Sequence, residues 1–132
     1  MNIDYVCLHL DFSIEFKWRH NLKKVFGLEK INNAFVFIEK NYREEITLKD
    51  VSKAAGFSEY HFSRVFKEIM EKNFHCYLNE FRVKKAEKLL MKNDITITQV
   101  AYDSGFNSVV TFNRIFKVIK GCTPSIYKKI LI

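Results

Sequence analysis

Residues 46–77, ITLKDVSKAAGFSEYHFSRVFKEIMEKNFHCY, and residues 95–127, ITITQVAYDSGFNSVVTFNRIFKVIKGCTPSIY, are two copies of one unit. Ile46/Ile95, Thr47/Thr96, Val51/Val100, Gly56/Gly105 and Phe57/Phe106 repeat at an offset of 49. Past one inserted residue, Arg64/Arg114, Phe66/Phe116, Lys67/Lys117 and Tyr77/Tyr127 repeat at 50. Each copy reads as a short helix, a turn holding glycine, and a second helix with Arg and Lys on its outer face. That is the outline of a helix-turn-helix, and two of them in one small basic chain imply a grip on duplex DNA at two places.

Working outward, the flanking sequence is helical as well. Ile31, Ala34, Phe35, Ile38 and Tyr42 mark one face of a first helix. Thr47-x-x-Asp50 resembles a capping box that opens a second helix, although Asp is shorter than the usual Glu or Gln. Ser58 follows the Gly56-Phe57 turn as the N-cap of a third helix, expected over residues 59–70. A long fourth helix over about 75–92 joins the two units directly, with no linker rich in Gly, Pro or Ser. Thr96-x-x-Gln99 is a full capping box for a fifth helix. Gly105-Phe106-Asn107 is the second turn, followed by a sixth helix to Lys120. Thr123-Pro124 opens a short seventh. The expected fold is therefore all-α, with helix-turn-helix subdomains at about 47–70 and 96–120 joined by a linker helix. Residues 31–132 form this domain.

Residues 1–30 stand apart from the repeat. In VCLHLDFSIEFKW the even positions Val6, Leu8, Leu10, Phe12, Ile14, Phe16 and Trp18 are apolar, and the odd positions are mostly polar. Period two predicts a half-buried β-strand over 6–18. A lone strand needs a partner. The same strand of a second chain would make a homodimer through residues 1–30. The rest of a larger sensor domain, or the helical domain used as a bed for an irregular arm, are the other choices.

Composition bounds the class. The chain has 132 residues, 48% of them hydrophobic, with 13 Phe, one Pro, four Gly and a net charge of +7. Such a chain can build a helical core, and its basic balance suits a polyanionic partner, although a membrane surface would suit it too. Three scattered cysteines (Cys7, Cys76, Cys122) support neither a disulfide framework nor a zinc site. No run of about 20 apolar residues and no signal peptide is recognisable, so the expectation is a soluble cytoplasmic protein without a cofactor. His9, His20, His61 and His75 form no catalytic or metal-binding spacing and no phosphate-cradling Gly loop exists, which argues against an enzyme.

At 100° per residue, Phe62, Val65, Phe66 and Ile69 fall inward on the third helix, with Tyr60, Ser63, Arg64 and Lys67 opposite. On the sixth, Phe112, Ile115, Phe116 and Ile119 point inward and Val110, Asn113, Arg114 and Lys117 outward, with Val109 and Thr111 at the margins. A lone surface Arg is usually a solvated charge. Recurrence of Arg64 and Arg114 at the same point of the same unit favours base contact, since Arg bonds guanine bidentately in a major groove about 12 Å wide. Lys67 and Lys117 suit phosphate. Val110, exposed opposite the Phe112 stripe, suits a thymine methyl.

Residues 31–129 resemble the DNA-binding domain of the AraC/XylS transcription regulators. The resemblance rests on Ile46-Thr47-Leu48, Gly56-Phe57-Ser58, Phe62-Ser63-Arg64-Val65-Phe66-Lys67, and Tyr77-Leu78 with Arg82, Ala86, Leu89 and Leu90. In the second half it rests on Ile97, Val100-Ala101, Gly105-Phe106, Phe112-Asn113-Arg114-Ile115-Phe116-Lys117, Gly121-Cys122-Thr123-Pro124-Ser125 and Tyr127-Lys128. It implies two recognition helices entering neighbouring major-groove segments, one turn or about 34 Å apart, with DNA bending at about 1–6 kcal/mol if the connector holds them closer. By position it implies base contacts from Tyr60, Ser63, Arg64, Val109, Val110, Thr111 and Arg114. Backbone contacts would come from Lys67, Asn113, Lys117 and the helix N-termini near Thr47 and Thr96. Activators dominate the family, so it leans toward activation, with promoter DNA and RNA polymerase as partners. The chain departs from the pattern at Glu71, where the family has Gly, which predicts a reshaped end of the third helix around Asn73. Val109 and Val110 stand where polar groups are common, and residues 1–30 are too short for the sensor or receiver domain of typical members. The rival reading is a protein-interaction module, or a fragment of a larger regulator, whose N-terminal strand pairs with another chain.

Overall fold

The computed structural model describes residues 22–131, with side chains from Gly27 onward; the strand expected at 6–18 lies outside the described residues. Seven helices and no strand occur among them: α1 (Leu22–Asn41), α2 (Leu48–Ala55), α3 (Glu59–Met70), α4 (Phe74–Leu90), α5 (Ile97–Asp103), α6 (Val109–Lys120) and α7 (Pro124–Leu131). None is long and apolar enough to cross a membrane.

The first helix starts at Leu22, nine residues before the Ile31 expected from its apolar face. Gly27 lies inside the added length. It lies on the same stripe as Ile31, Ala34 and Ile38, but a glycine adds nothing to an apolar count. The stripe needs a small residue there, because a Cβ at Gly27 would come within 3.2 Å of Val65 Cγ1 on α3.

The chain folds as two compact units. The first comprises α1 with residues Ile46–Cys76, that is α2, α3 and the first turn of α4. Ile31, Ala34, Phe35, Ile38, Val51, Phe62 and Phe66 are fully buried in it, with Ala55, Ile69, Met70 and Phe74 nearly so. Its aromatic rings meet mostly edge to face: Phe35–Phe66 at 6.1 Å, Phe62–Phe74 at 6.1 Å and Phe66–Phe74 at 6.3 Å between centroids.

The second unit takes the loop Tyr42–Glu45 together with the chain from Tyr77 onward. Its core is Val83, Ala86, Leu90, Val100, Ala101, Phe106, Phe112 and Phe116. Arg82 fastens the loop: its Nε donates to the Tyr42 carbonyl and its guanidinium to the Glu44 carbonyl, both at 2.9 Å, while the Tyr42 ring lies edge-on to Phe81 at 5.4 Å. Burial lowers the pKa of Arg82 from its ordinary value. Arg82 thus serves the fold, satisfying carbonyls that have no helix to pair with. Along α7, Tyr127 donates to Glu87 Oε2 at 2.8 Å and Lys128 to the Ile95 carbonyl at 2.7 Å.

The end of α3 is not reshaped. Glu71 itself adopts the left-handed conformation (φ 59°, ψ 21°), and its amide donates to the Lys67 carbonyl at 2.9 Å. Gly121 does the same for α6, with φ 83° and a 2.8 Å bond to the Lys117 carbonyl. Asn73 has another task, its Oδ1 accepting from the Cys76 amide at 2.8 Å and so capping α4. Glu71 thus keeps the left-handed closure that Gly121 makes in the second unit, and carries the strain.

Candidate nucleic-acid interface

Local chemistry sets where the second helix of each helix-turn-helix begins. In the first unit Gly56 takes φ 79°; its amide donates to the Lys53 carbonyl at 3.1 Å and that of Phe57 to Ser52 at 2.9 Å. In the second, Gly105 takes φ 102°; its amide reaches the Tyr102 carbonyl at 3.1 Å and that of Phe106 reaches Ala101 at 3.0 Å. Both are Schellman closures, in which a left-handed residue satisfies the last carbonyls of the preceding helix. The two glycines differ in one respect. A Cβ at Gly56 would meet open space, whereas one at Gly105 would strike the Tyr42 carbonyl oxygen held by Arg82.

Ser58 then accepts from the His61 amide at 3.2 Å and Ser108 from the Thr111 amide at 3.1 Å, so α3 and α6 are capped alike and each has 12 residues. Asn107 is therefore the inserted residue, and from the caps onward the two helices correspond position by position. Tyr60 corresponds to Val110, Ser63 to Asn113, Arg64 to Arg114 and Lys67 to Lys117. Tyr60 and Val110 are 74% and 78% exposed, too much for either to belong to the core. Ser63, Arg64, Lys67, Arg114 and Lys117 are exposed and Asn113 is half-buried. The Arg64 guanidinium lies 5.9 Å from the Tyr60 ring centroid, one helical turn away.

Two residues at the margins of α6 lie partly inward, and one expected inward is exposed. Val109 is half-buried and packs against the second core, so its side chain is turned in part from the outer face. Thr111 is half-buried, and its hydroxyl accepts from Ser108 Oγ at 2.9 Å. Ile119, placed inward by periodicity, is 38% exposed, while its counterpart Ile69 is 2% exposed; the last turn of α6 outruns the core beneath it.

The helix N-termini near Thr47 and Thr96 also diverge. Thr47 accepts from the Asp50 amide at 3.1 Å and its own amide donates to Asp50 Oδ2 at 3.0 Å, a complete capping box built on the shorter acid. That backbone bond is the main cause holding the Asp50 carboxyl below its ordinary pKa. Thr96 accepts from the Gln99 amide at 3.1 Å, but Gln99 returns no bond to the Thr96 amide. A phosphate approaching Thr47 would find its amide taken and a carboxylate beside it.

Charge is divided unequally. The α6 helix carries Arg114, Lys117 and Lys120 and no acid, whereas α3 sets Arg64 and Lys67 against Glu59 and Glu68. Lys120 is engaged within its own unit, 3.2 Å from Glu87 Oε2 and 5.7 Å from the Tyr127 ring centroid. Glu59, which is not among the outer-face residues expected from the sequence, is exposed at the first position of α3. Among the described residues no group of three His, Cys, Asp or Glu could hold a metal ion.

A model of the helix-turn-helix domain family matches residues 51–130. The chain is 34% identical over 109 residues to an uncharacterised HTH-type transcriptional regulator of Staphylococcus aureus strain COL, a match covering 83% of this chain and 15% of that protein. The chain thus spans less than a fifth of the length of that relative. In fold it is similar to a transcriptional regulator of Chromobacterium violaceum described as containing an AraC-type DNA-binding domain, with a TM-score of 0.73 and 24% identity over 79% of this chain and 93% of that one. It is likewise similar to the DNA-binding domain of the global transcriptional factor AdpA, solved in complex with a target DNA. There the TM-score is 0.69 and the identity 24%, covering 73% of this chain and 86% of the other.

Proposed function

The chain belongs to the AraC/XylS family of helix-turn-helix domains, and from that premise we propose that it is a transcription regulator that binds double-stranded DNA sequence-specifically, with α3 and α6 as its recognition helices. The observation that carries this reading is the position-by-position match of two capped helices, each offering Arg and Lys one turn apart on an exposed face. Arg64 and Arg114 then read bases, Tyr60, Ser63 and Val110 add to the readout, and Lys67, Asn113 and Lys117 meet the backbone. Val109 and Thr111 support the second helix from its margin. Promoter DNA in the bacterial cytoplasm is the partner, activation through RNA polymerase the mode of control, and self-association through residues 1–30 an added feature.

The test is selection of binding sites from random duplex DNA at about 150 mM salt, where surface charges are screened as in the cell. A site with two short blocks about one turn (~34 Å) apart is expected. Arg64→Ala and Arg114→Ala should each weaken specific binding by about 1–3 kcal/mol and relax one block. No enrichment of any sequence by the folded protein would overturn the proposal.

A further inference from the structure

We propose that Glu59 is a specificity determinant of the first unit, its carboxylate accepting a hydrogen bond from an exocyclic amino group, cytosine N4 or adenine N6, in the major groove. This rests on the reading of α3 as a recognition helix. Helix-turn-helix proteins contact base edges chiefly with the N-terminal residues of that helix, and Glu59 is its first residue, directly after the Ser58 cap and beside Tyr60. It is exposed, and its carboxylate makes no hydrogen bond or ion pair with any described residue.

An acid at a helix start can favour the helix dipole without any bond, which Glu59 does from the first turn of α3, but to hold its carboxylate in place it needs a capping box, which requires the third helical position. That position holds His61, and the Ser58 cap is complete through the His61 amide alone. Asp50 shows the contrast within the same unit: it stands at the third position of α2 and is bonded to Thr47. Glu59 has no such employment.

On a surface apposed to phosphates an unpaired carboxylate weakens binding to every sequence. It is compensated only where the groove presents a donor. In the major groove those donors are the amino groups of cytosine and adenine; guanine and thymine offer acceptors there, and would face the carboxylate lone pair to lone pair. Glu59 would therefore act largely by rejection, penalising the wrong base more than it gains from the right one. The corresponding residue of α6, Val109, is packed against the second core, so the device belongs to the first unit alone.

The test compares site selection by the full chain with that by Glu59→Gln and Glu59→Ala, each checked for an unchanged melting temperature. Wild type should prefer cytosine or adenine at one position of the block that Arg64→Ala relaxes. Glu59→Ala should lose that preference by about tenfold or more while binding nonspecific duplex no more weakly. Glu59→Gln should move the preference toward adenine, whose N6 and N7 pair with an amide. If both variants keep the wild-type preference at every position, or gain affinity uniformly for all sequences, Glu59 is only a repulsive surface charge and the proposal fails. Failure of wild type itself to enrich a site would instead sink the DNA-binding reading on which the proposal stands.

Discussion

Glu71 and Gly121 close corresponding helices with the same left-handed backbone, and only one of them is glycine. A residue with a Cβ is strained there by about 1–2 kcal/mol, partly offset because glycine leaves the unfolded chain freer. Glu71→Gly should therefore raise stability by about 0.5–1 kcal/mol in urea unfolding, and Gly121→Ala should lower it by a similar amount. A loss of stability in Glu71→Gly would mean that the glutamate side chain is worth more to the fold than the strain. The departure from the family pattern was visible in the sequence. That the backbone would keep its geometry and accept the strain was not, since a glutamate by its type gives no sign of positive φ.

Among elements, the two short helices α2 and α5 look alike in sequence yet begin differently. Asp50 returns a hydrogen bond to Thr47, and Gln99, the longer side chain, returns none to Thr96. Asp50→Ala should accordingly lower the melting temperature, with Gln99→Ala close to wild type. The effect of Asp50 depends on pH in a defined direction. Its folded pKa lies below the unfolded value of about 4, so its contribution is present above that pH and is lost as pH falls through the lower folded value. The gap between wild type and Asp50→Ala should hold at neutral pH and close below about pH 4. A gap that persisted in acid would assign the effect to something other than the carboxylate. Side-chain length favoured Gln99 as the better partner; the backbone at the two caps is nearly the same (φ −95°, ψ 163° at Thr47 and φ −83°, ψ 157° at Thr96), yet only Asp50 returns the bond.

For the whole molecule, the outward lysines of both units predict how affinity for DNA depends on salt. Lys117→Ala and Lys67→Ala should each reduce the slope of log affinity against log salt by about one if both meet phosphate. Lys120→Ala should leave the slope nearly unchanged, because that ammonium is already paired with Glu87 inside its own unit. A change of slope for Lys120→Ala equal to that for Lys117→Ala would show that the ion pair opens on binding.

The sequence by itself determined the doubled helix-turn-helix, the all-helical class, the caps at Thr47, Ser58 and Thr96, and the outward Arg and Lys of α3 and α6. These are local properties: apolar spacing at the helical period, a glycine able to take positive φ, and a hydroxyl before the first turn all act within a few residues. The tertiary structure decided what depends on a neighbour far along the chain. Gly27 stands where α1 meets α3, so that a Cβ there would come within 3.2 Å of Val65 Cγ1 and 3.7 Å of Ile69 Cδ1. Gly105 must lack a side chain because Tyr42, held by Arg82 some forty residues on, stands over it. Val109 turns toward its core while Ile119, at an inward position of the same helix, reaches water. Periodicity assigns a side chain its direction about a helix, but what lies in that direction is a matter of which other element arrives there.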